Sequence, residues 1–511
     1  MTVEGETSAK PPGKAHSVHR RVLRGGSLLV AGKAVSQGCS FLRNVIVARA
    51  IGVENFGIAA TFAITVAIFD MIGNLSVDRL LIQAKDGNDE RFQSAAHMLQ
   101  AIRGIVSGLL IAAAAPLIAR LFGVPQTTWA FRYLALIPVL RGFAHLDNQR
   151  VQRDLQFAKS VGLDIAQQVI PTVLAWPIAV VTKDYSAMLW LVLIQGAIAT
   201  AGSFLIANRA YRWHWDAGYS RRMFHFGWPI VVNAIFLLGI YQGDRLLIGT
   251  AGRTFGTHTY TLADLGVYSV ATSLTFTPMI AFSAISSSLL LPFFSSIQSE
   301  DAKLQRRYYF SSQLASLASG LFALPLILAG TAIVVAVYGR PYVAAGGLVG
   351  WMAAGQAIRM ARVTPTLAAM SRGDSRNAMY ANMLRFCAIV GVVAVIIEGR
   401  PLVWIAMIGF CGELLGLGVC LWRLQCDHGI MASLGIKAVS ALLACMAGAG
   451  IVAFWITGSN LVLRGSLILL FYVIFLMIML AAFPSFRARL KSTIFRGGPG
   501  KASAGPADVR A

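Results

Sequence analysis

Apolar stretches of about 20 to 30 residues recur along the whole chain, each bounded by a few polar or charged positions. They fall at about 25–48, 56–82, 95–119, 127–148, 160–181, 187–207, 223–249, 265–293, 308–338, 343–370, 376–397, 401–422, 431–457 and 465–484. A helix rises about 1.5 Å per residue, so each run is long enough for the roughly 30 Å hydrocarbon core of a bilayer. The pattern predicts an all-α integral membrane protein with 14 transmembrane helices. The first run shows how its polar positions are handled. Lys33, Gln37, Ser40 and Asn44 follow one another at helical spacing and share one face. A lysine facing lipid at mid-bilayer costs about 2.5–3.5 kcal/mol, so this stripe is expected to face protein or a wet cavity.

The connections are short, about 15 residues at most, and leave no room for a soluble domain. Their charge alternates. Taking every second connection from the N-terminal tail gives 27 lysines and arginines, against seven in the others, one each. This positive-inside bias puts both termini in the cytoplasm. With 56% hydrophobic residues, 13% charged residues and a mean hydropathy of +0.66, the composition excludes a soluble globular protein. The net charge of +22 sits in loops between apolar runs, so it reads as membrane topology, with no nucleic acid as partner. Six cysteines without paired spacing, and eight histidines likewise, predict no metal site. The basic N-terminal residues lack an apolar region of their own, so no cleavable signal is expected. Both tails, 1–19 and 487–511, have the composition of disordered segments that touch anionic membrane lipids at most.

An internal repeat organises the rest. Aligning Gly26 with Gly227 lays RGGSLLVAGKAVSQGCSFLRNVIVARAIG over HFGWPIVVNAIFLLGIYQGDRLLIGTAG, and after an insertion NFGIAA (55–60) matches DLGVYS (264–269). Two six-helix units related by an axis along the membrane normal follow from it. The expected organisation is a basic tail (1–24), an N-terminal six-helix lobe (25–209), a C-terminal six-helix lobe (210–424), a peripheral pair of helices (425–486) and a second basic tail (487–511). The pseudo-symmetric lobes would enclose a central cavity.

Ten basic residues fall inside the runs: Lys33, Arg43, Arg79, Arg103, Arg132, Arg141, Arg245, Arg359, Arg362 and Arg385. The acids there are Asp70, Asp78, Asp147, Asp164, Asp244 and Glu413. Facing lipid, this set would cost tens of kcal/mol at about 3 kcal/mol each, so a shared interior of net positive sign is expected. Such a cavity favours an anionic passenger, a phosphate or pyrophosphate. Depth along the helices selects Lys33, Arg103, Arg141, Arg359, Arg362 and Arg385 as its substrate-binding cations. Gln356, Arg359 and Arg362 share a face, as do Arg141 and His145. Arg43, Arg79, Arg132 and Arg245 are closer to interfaces, where snorkelling or local pairing accounts for them. Asp70, Asn74 and Asp78 form a stripe at spacing four, and Glu413 lies near mid-run. Asp70 and Glu413 are therefore candidates for proton or sodium coupling, or else ion-pair partners of the nearby arginines. Asp244 and Arg245 read as a gate near the outer end of the seventh helix. Span prolines and glycines offer bends for rocking. No nucleotide-binding loop is present, so ATP is not the direct energy source and no cofactor is expected.

The chain resembles the bacterial polysaccharide/O-antigen flippases of the Wzx type, in the polysaccharide transport branch of the multidrug/oligosaccharidyl-lipid/polysaccharide exporter superfamily. The resemblance is carried by 24–60, by LIQAKDGNDERFQSA (81–95), APLIARLFGVP (115–125) and QRVQRDLQFAK (149–159), and by FGWPIVVNAIFLLGIYQGDRLLIG (226–249). It implies two six-helix lobes around a cationic cavity, two further helices, and alternating access in the bacterial inner membrane. The cargo it implies is an undecaprenyl-pyrophosphate-linked oligosaccharide, moved from inner to outer leaflet for exopolysaccharide, capsule or O-antigen synthesis. A polysaccharide polymerase and other assembly proteins are the implied partners. Cavities in this family carry scattered Lys and Arg without an invariant motif, so the residues above rest on depth and helical phase. A drug/cation antiporter of the same fold would favour acids, yet bases outnumber acids ten to six within the runs. A membrane enzyme of polysaccharide assembly would need a sizeable outer loop or a clustered acid/base constellation, and the sequence offers neither.

Overall fold

The computed structural model describes residues 13–73, 75–153, 157–257, 259–456 and 461–482. Among them there are only helices and connections. In chain order they are α1 Gly13–Ile51, α2 Val53–Gly73, α3 Val77–Gln83, α4 Glu90–Leu121, α5 Thr128–Leu134, α6 Leu136–Gly142, α7 Asp147–Arg153, α8 Ala158–Thr182 and α9 Ser186–Ile206. There follow α10 Ala217–Thr254, α11 Leu262–Ser295, α12 Asp301–Tyr338, α13 Gly346–Ser371, α14 Arg376–Ile397, α15 Leu402–His428, α16 Ala432–Trp455 and α17 Leu461–Ala482.

Eleven helices among the described residues are long and apolar enough to cross a membrane. The chain is thus a multi-pass membrane protein. The three other runs are helical too, outside those eleven. Run 25–48 lies in α1, which begins at Gly13, inside the segment expected to be a disordered tail. Run 343–370 forms α13, whose Arg359 and Arg362 lower its hydropathy. Run 127–148 is broken into α5 and α6, each of seven residues. Pro138, without an N–H to offer the Leu134 carbonyl, explains the break. Run 56–82 is likewise interrupted between α2 and α3, so Asp70 and Asp78 do not share a continuous helix, and Asn74 lies outside the described residues. The tail 487–511 also lies outside them.

Local chemistry sets several boundaries. Asp89 and Asp216 cap α4 and α10 through the N–H groups of Arg91 and Tyr219, and Thr261 with Asp264 forms a capping box on α11. The α1–α2 turn requires Gly52 at φ 80°. Pro325 lies within α12 and removes the N–H that the Leu321 carbonyl would accept. The Tyr472 hydroxyl donates to that carbonyl instead, at 2.7 Å, tying α17 to α12.

Helix α1 packs on α8, and α8 on α9; later in the chain α10 packs on α14, and α14 on α15. Helices α16 and α17 lie against α12. The residues before and after the non-helical segment 207–216 meet mainly through α2 against α10 and α11, and through α1 against α11. At the α2–α11 crossing a Cβ on Gly57 would overlap the Leu262 carbonyl, and one on Gly266 would overlap the Val53 carbonyl. These contacts are reciprocal: the sequence repeat aligns Gly57 with Gly266, and with it Val53 with Leu262.

Two sets of contacts join these halves at opposite ends. On one side Arg49 donates to the Ala336 and Val337 carbonyls at the end of α12 (2.7 Å to Val337), and the Tyr342 hydroxyl donates to the Ala48 carbonyl at 2.9 Å. One apolar core there includes Val47, Phe56, Tyr338 and Tyr342. At the other end Arg222 pairs with Asp86 at 2.6 Å, and the Tyr219 hydroxyl donates to Asp89 at 2.8 Å.

Candidate functional site

Three of the expected cations converge. Helix α13 carries Arg359 and Arg362 three residues apart, α14 brings Arg385 alongside, and α15 supplies Glu413. The Glu413 carboxylate takes a close bond from Arg385 on Oε1, lies 3.4 Å from Arg362 through Oε2 and 4.0 Å from Arg359 through Oε1. All four residues are buried, none more than 9% exposed. The packing that allows this is local. A Cβ on Gly416 would stand 2.7 Å from the Arg385 Cγ, so glycine there lets the arginine lie flat along α15. Arg385 also donates to Asn382 at 2.9 Å.

Beside the cluster is a cavity of about 110 Å³ among α10, α11, α13, α14 and α15, lined in part by Arg359, Arg385 and Glu413. Tyr241 and Phe276 roof the Arg359 guanidinium at 4.6 and 5.2 Å from their ring centroids, geometry in which an aromatic face attracts a cation. Asp244 and Arg245 line the same cavity. Asp244 accepts from the Tyr268 hydroxyl at 2.8 Å, and Arg245 donates to Gln242 on its own helix at 2.5 Å. The pair expected as an outer gate is thus part of this interior wall. Arg362 Nε and Gln356 Oε1 are buried without a partner among the described residues. Three guanidinium groups share one carboxylate, so the cluster is net positive in a region from which water is largely excluded.

The other three expected cations do not line this cavity. Arg141 on α6 pairs with Asp70 on α2, both half-exposed. Arg103 on α4 is within Coulomb reach of Asp70, Asp78 and Arg141. Lys33 is exposed on α1 and faces Asp164 on α8. Arg103 and Arg141 thus share a charged group with Asp70, while Lys33 has Asp164 as its neighbour. Of the remainder, Arg79 and Arg132 are exposed, while Arg43 is buried and donates to Gln195 at 2.7 Å.

His145 does not join Arg141 in a site. Its ring packs against His97 and Tyr211, 4.7 and 5.5 Å between centroids. Asp147 belongs to the short helix α7 rather than to a crossing. Burial would raise its carboxyl pKa, but the bonds from Arg150 and from the Asn208 N–H outweigh this and hold it at about 2. Sequence reasoning missed Tyr241, Phe276 and Tyr268. Aromatic residues within apolar runs carry no signal of their own until α10 and α11 are folded against α13.

The family described as polysaccharide biosynthesis protein matches residues 46–346. No curated protein matches the chain. Among solved structures, the lipid II flippase MurJ in an inward closed conformation is similar with a TM-score of 0.63 at 12% identity, over 92% of this chain and 100% of that one. An inward-facing multidrug resistance MATE family transporter of the MOP superfamily gives a TM-score of 0.57 at 12% identity, covering 76% of this chain and 95% of the other. A eukaryotic MATE transporter, AtDTX14, gives 0.54 at 13% identity, over 83% and 99%. At these identities the likeness is one of fold.

Proposed function

The chain belongs to the polysaccharide biosynthesis protein family, and we propose that it is a flippase moving an undecaprenyl-pyrophosphate-linked oligosaccharide from the inner to the outer leaflet. The observation that carries this reading is the buried, net-positive cluster of Arg359, Arg362 and Arg385 around Glu413, within a fold shared with MurJ and MATE transporters. What such a cluster lacks is an anion. Planar guanidinium groups match phosphate oxygens in pairs, and at low dielectric that match is strong. The glycan served would be exopolysaccharide, capsule or O-antigen, handed at the outer face to a polymerase and its assembly partners. The step is transport and not catalysis, and needs no cofactor.

In this reading fourteen crossings put both termini in the cytoplasm of a bacterial inner membrane. Residues 25–209 and 210–424 act as two lobes around a central cavity, with 425–486 outside them; the reciprocal Gly57–Gly266 contact supports an axis between them. Alternating access then exchanges the two sets of contacts between the halves, Arg49 and Tyr342 at the outer end, Arg222 and Tyr219 at the cytoplasmic end. Lys33, Arg103 and Arg141 extend the basic surface on the first lobe. Of the two carboxylates suited to proton or sodium coupling, Asp70 has one half-exposed partner and can exchange an ion, whereas Glu413 is held by three arginines.

The test is transfer of a lipid-linked sugar across reconstituted vesicles, with and without a proton gradient. Arg359→Gln with Arg362→Gln should abolish transfer in a protein that remains folded and inserted. Transfer at the parent rate would remove both arginines from the site, and uptake of a lipophilic cation instead would favour a drug antiporter.

A further inference from the structure

The arrangement around Glu413 goes a step beyond that reading, and rests on it. We propose that Glu413 is a resident competitor for the cargo's anionic group: it occupies the arginines when the site is empty and must give them up when phosphate oxygens enter. Carboxylate and phosphate oxygens accept from the same guanidinium edges, so the two occupancies exclude each other. The three contacts are unequal in a way that gives an order of exchange. Arg359, at 4.0 Å the most loosely held, stands at the cavity wall under Tyr241 and Phe276. Arg362 follows at 3.4 Å, and Arg385 is held closest.

The cavity is about 110 Å³, with Arg359, Arg385 and Glu413 on its wall. An entering anion takes Arg359 first, since that arginine gives up the least, and then draws Arg362 and last Arg385 from the carboxylate. Of the other charged groups on this wall, Asp244 accepts from Tyr268 and lies within Coulomb reach of Arg385, and Arg245 donates to Gln242. Without Glu413, three desolvated cations would bind a diphosphate too tightly for a carrier that has to release it. With Glu413, the bonds that Arg362 and Arg385 give to cargo replace ones already made to the carboxylate, while Arg359 and the unpartnered Arg362 Nε receive the anion without such a loss. The affinity falls, and the carboxylate is at hand to expel the anion.

Calorimetric titration of inorganic pyrophosphate into the full-length protein in nanodiscs, paired with vesicle transfer, tests this. Glu413→Gln should bind pyrophosphate about tenfold more tightly while transferring lipid-linked sugar more slowly. Arg359→Gln should lose pyrophosphate binding. If Arg359→Gln binds as the parent does, the anion-site reading itself fails. If it loses binding but Glu413→Gln binds no more tightly than the parent, the site stands and the competitor is overturned. Loss of gradient dependence in Glu413→Gln with unchanged binding would make the residue an ion coupler and likewise overturn it. Should Glu413→Gln not accumulate, Glu413→Asp decides. Its shorter reach loosens the Arg359 and Arg362 contacts, so tighter binding supports the competitor and equal or weaker binding refutes it.

Discussion

Replacing Arg49 by glutamine perturbs the closure proposed for the outer end at a point where its strength can be worked out. The guanidinium donates to two carbonyls, Ala336 and Val337, in the last turn of α12. Carbonyls at a helix C-terminus carry the negative end of the macrodipole, and Pro341, just beyond, has no N–H to offer them. A hydrogen bond from a charged donor contributes about 1.5–3 kcal/mol when shielded from water. Both bonds here are exposed, which brings the pair down to roughly 1–2 kcal/mol in total. Glutamine keeps at most one neutral bond. In the proposed cycle a loss of about 1–2 kcal/mol changes the ratio of outer-closed to outer-open molecules by about 5- to 30-fold. The Tyr342 bond to Ala48 and the apolar core around Phe56 and Tyr338 remain, so the halves stay associated and only the population shifts. Spin labels at the exposed positions 54 and 340, in a background without native cysteines, report the separation by pulsed dipolar spectroscopy. The expected result is a longer-distance component that grows in Arg49→Gln and is intermediate in Arg49→Lys. Identical distance distributions in all three proteins would refute the latch and the arithmetic behind it.

Gly57→Ala should lower the midpoint of thermal unfolding in detergent by the equivalent of about 1–3 kcal/mol, because its methyl meets the Leu262 backbone and no side chain can yield. Gly38→Ala is the control: nothing lies within 4 Å of a Cβ there, and no loss is expected. Asp147 has a pKa of about 2 against an ordinary 3.8, so its contribution is complete above pH 3.8 and is lost as the pH falls toward 2. Asp147→Asn should reduce stability at neutral pH by roughly 1–2 kcal/mol and flatten its decline below pH 4, read from unfolding midpoints across a pH series. Tyr472→Phe leaves the Leu321 carbonyl without its donor and should cost about 1 kcal/mol. Limited proteolysis should then release α17 faster than in the parent, and an unchanged rate would mean that its apolar contacts alone hold it.

Hydrophobic periodicity was enough to find where the chain turns apolar, because burial in lipid demands it of every crossing. It could not tell a continuous helix from a broken one. Pro138 lies in an apolar run whose composition gives no warning that it folds as α5 and α6, and the same holds for the interruption between α2 and α3. Proline was legible as a residue and not as a break: Pro116, Pro171, Pro229 and Pro365 lie inside single helices, whereas Pro138 follows a break. In α12 the Tyr472 hydroxyl, from about 150 positions away in sequence, donates to the Leu321 carbonyl that Pro325 leaves free, and the helix still kinks at Ala329. The repeat was more informative than its weak identity suggests. Gly57 and Gly266 were aligned by it, and in the folded chain each excludes a side chain from the other's helix.

Charge was legible in amount and depth but not in direction around the helix axes. The cost of a cation in lipid requires that Arg359, Arg362 and Arg385 turn inward, and they do. Nothing in that cost requires one common chamber, because a carboxylate nearby relieves it as well as water does. The chain uses both solutions. Arg141 takes Asp70, and Lys33 faces Asp164, each locally matched. Around Glu413 the match is incomplete in stoichiometry, three cations to one anion, and the proposed function uses that surplus as binding potential. Complete neutralisation would leave a structural ion pair with no use for cargo. A cluster without Glu413 would be costly to bury and slow to release. On the proposed function, a site that must bind and let go in each cycle falls between these, and the carboxylate then belongs to its mechanism as much as the arginines do.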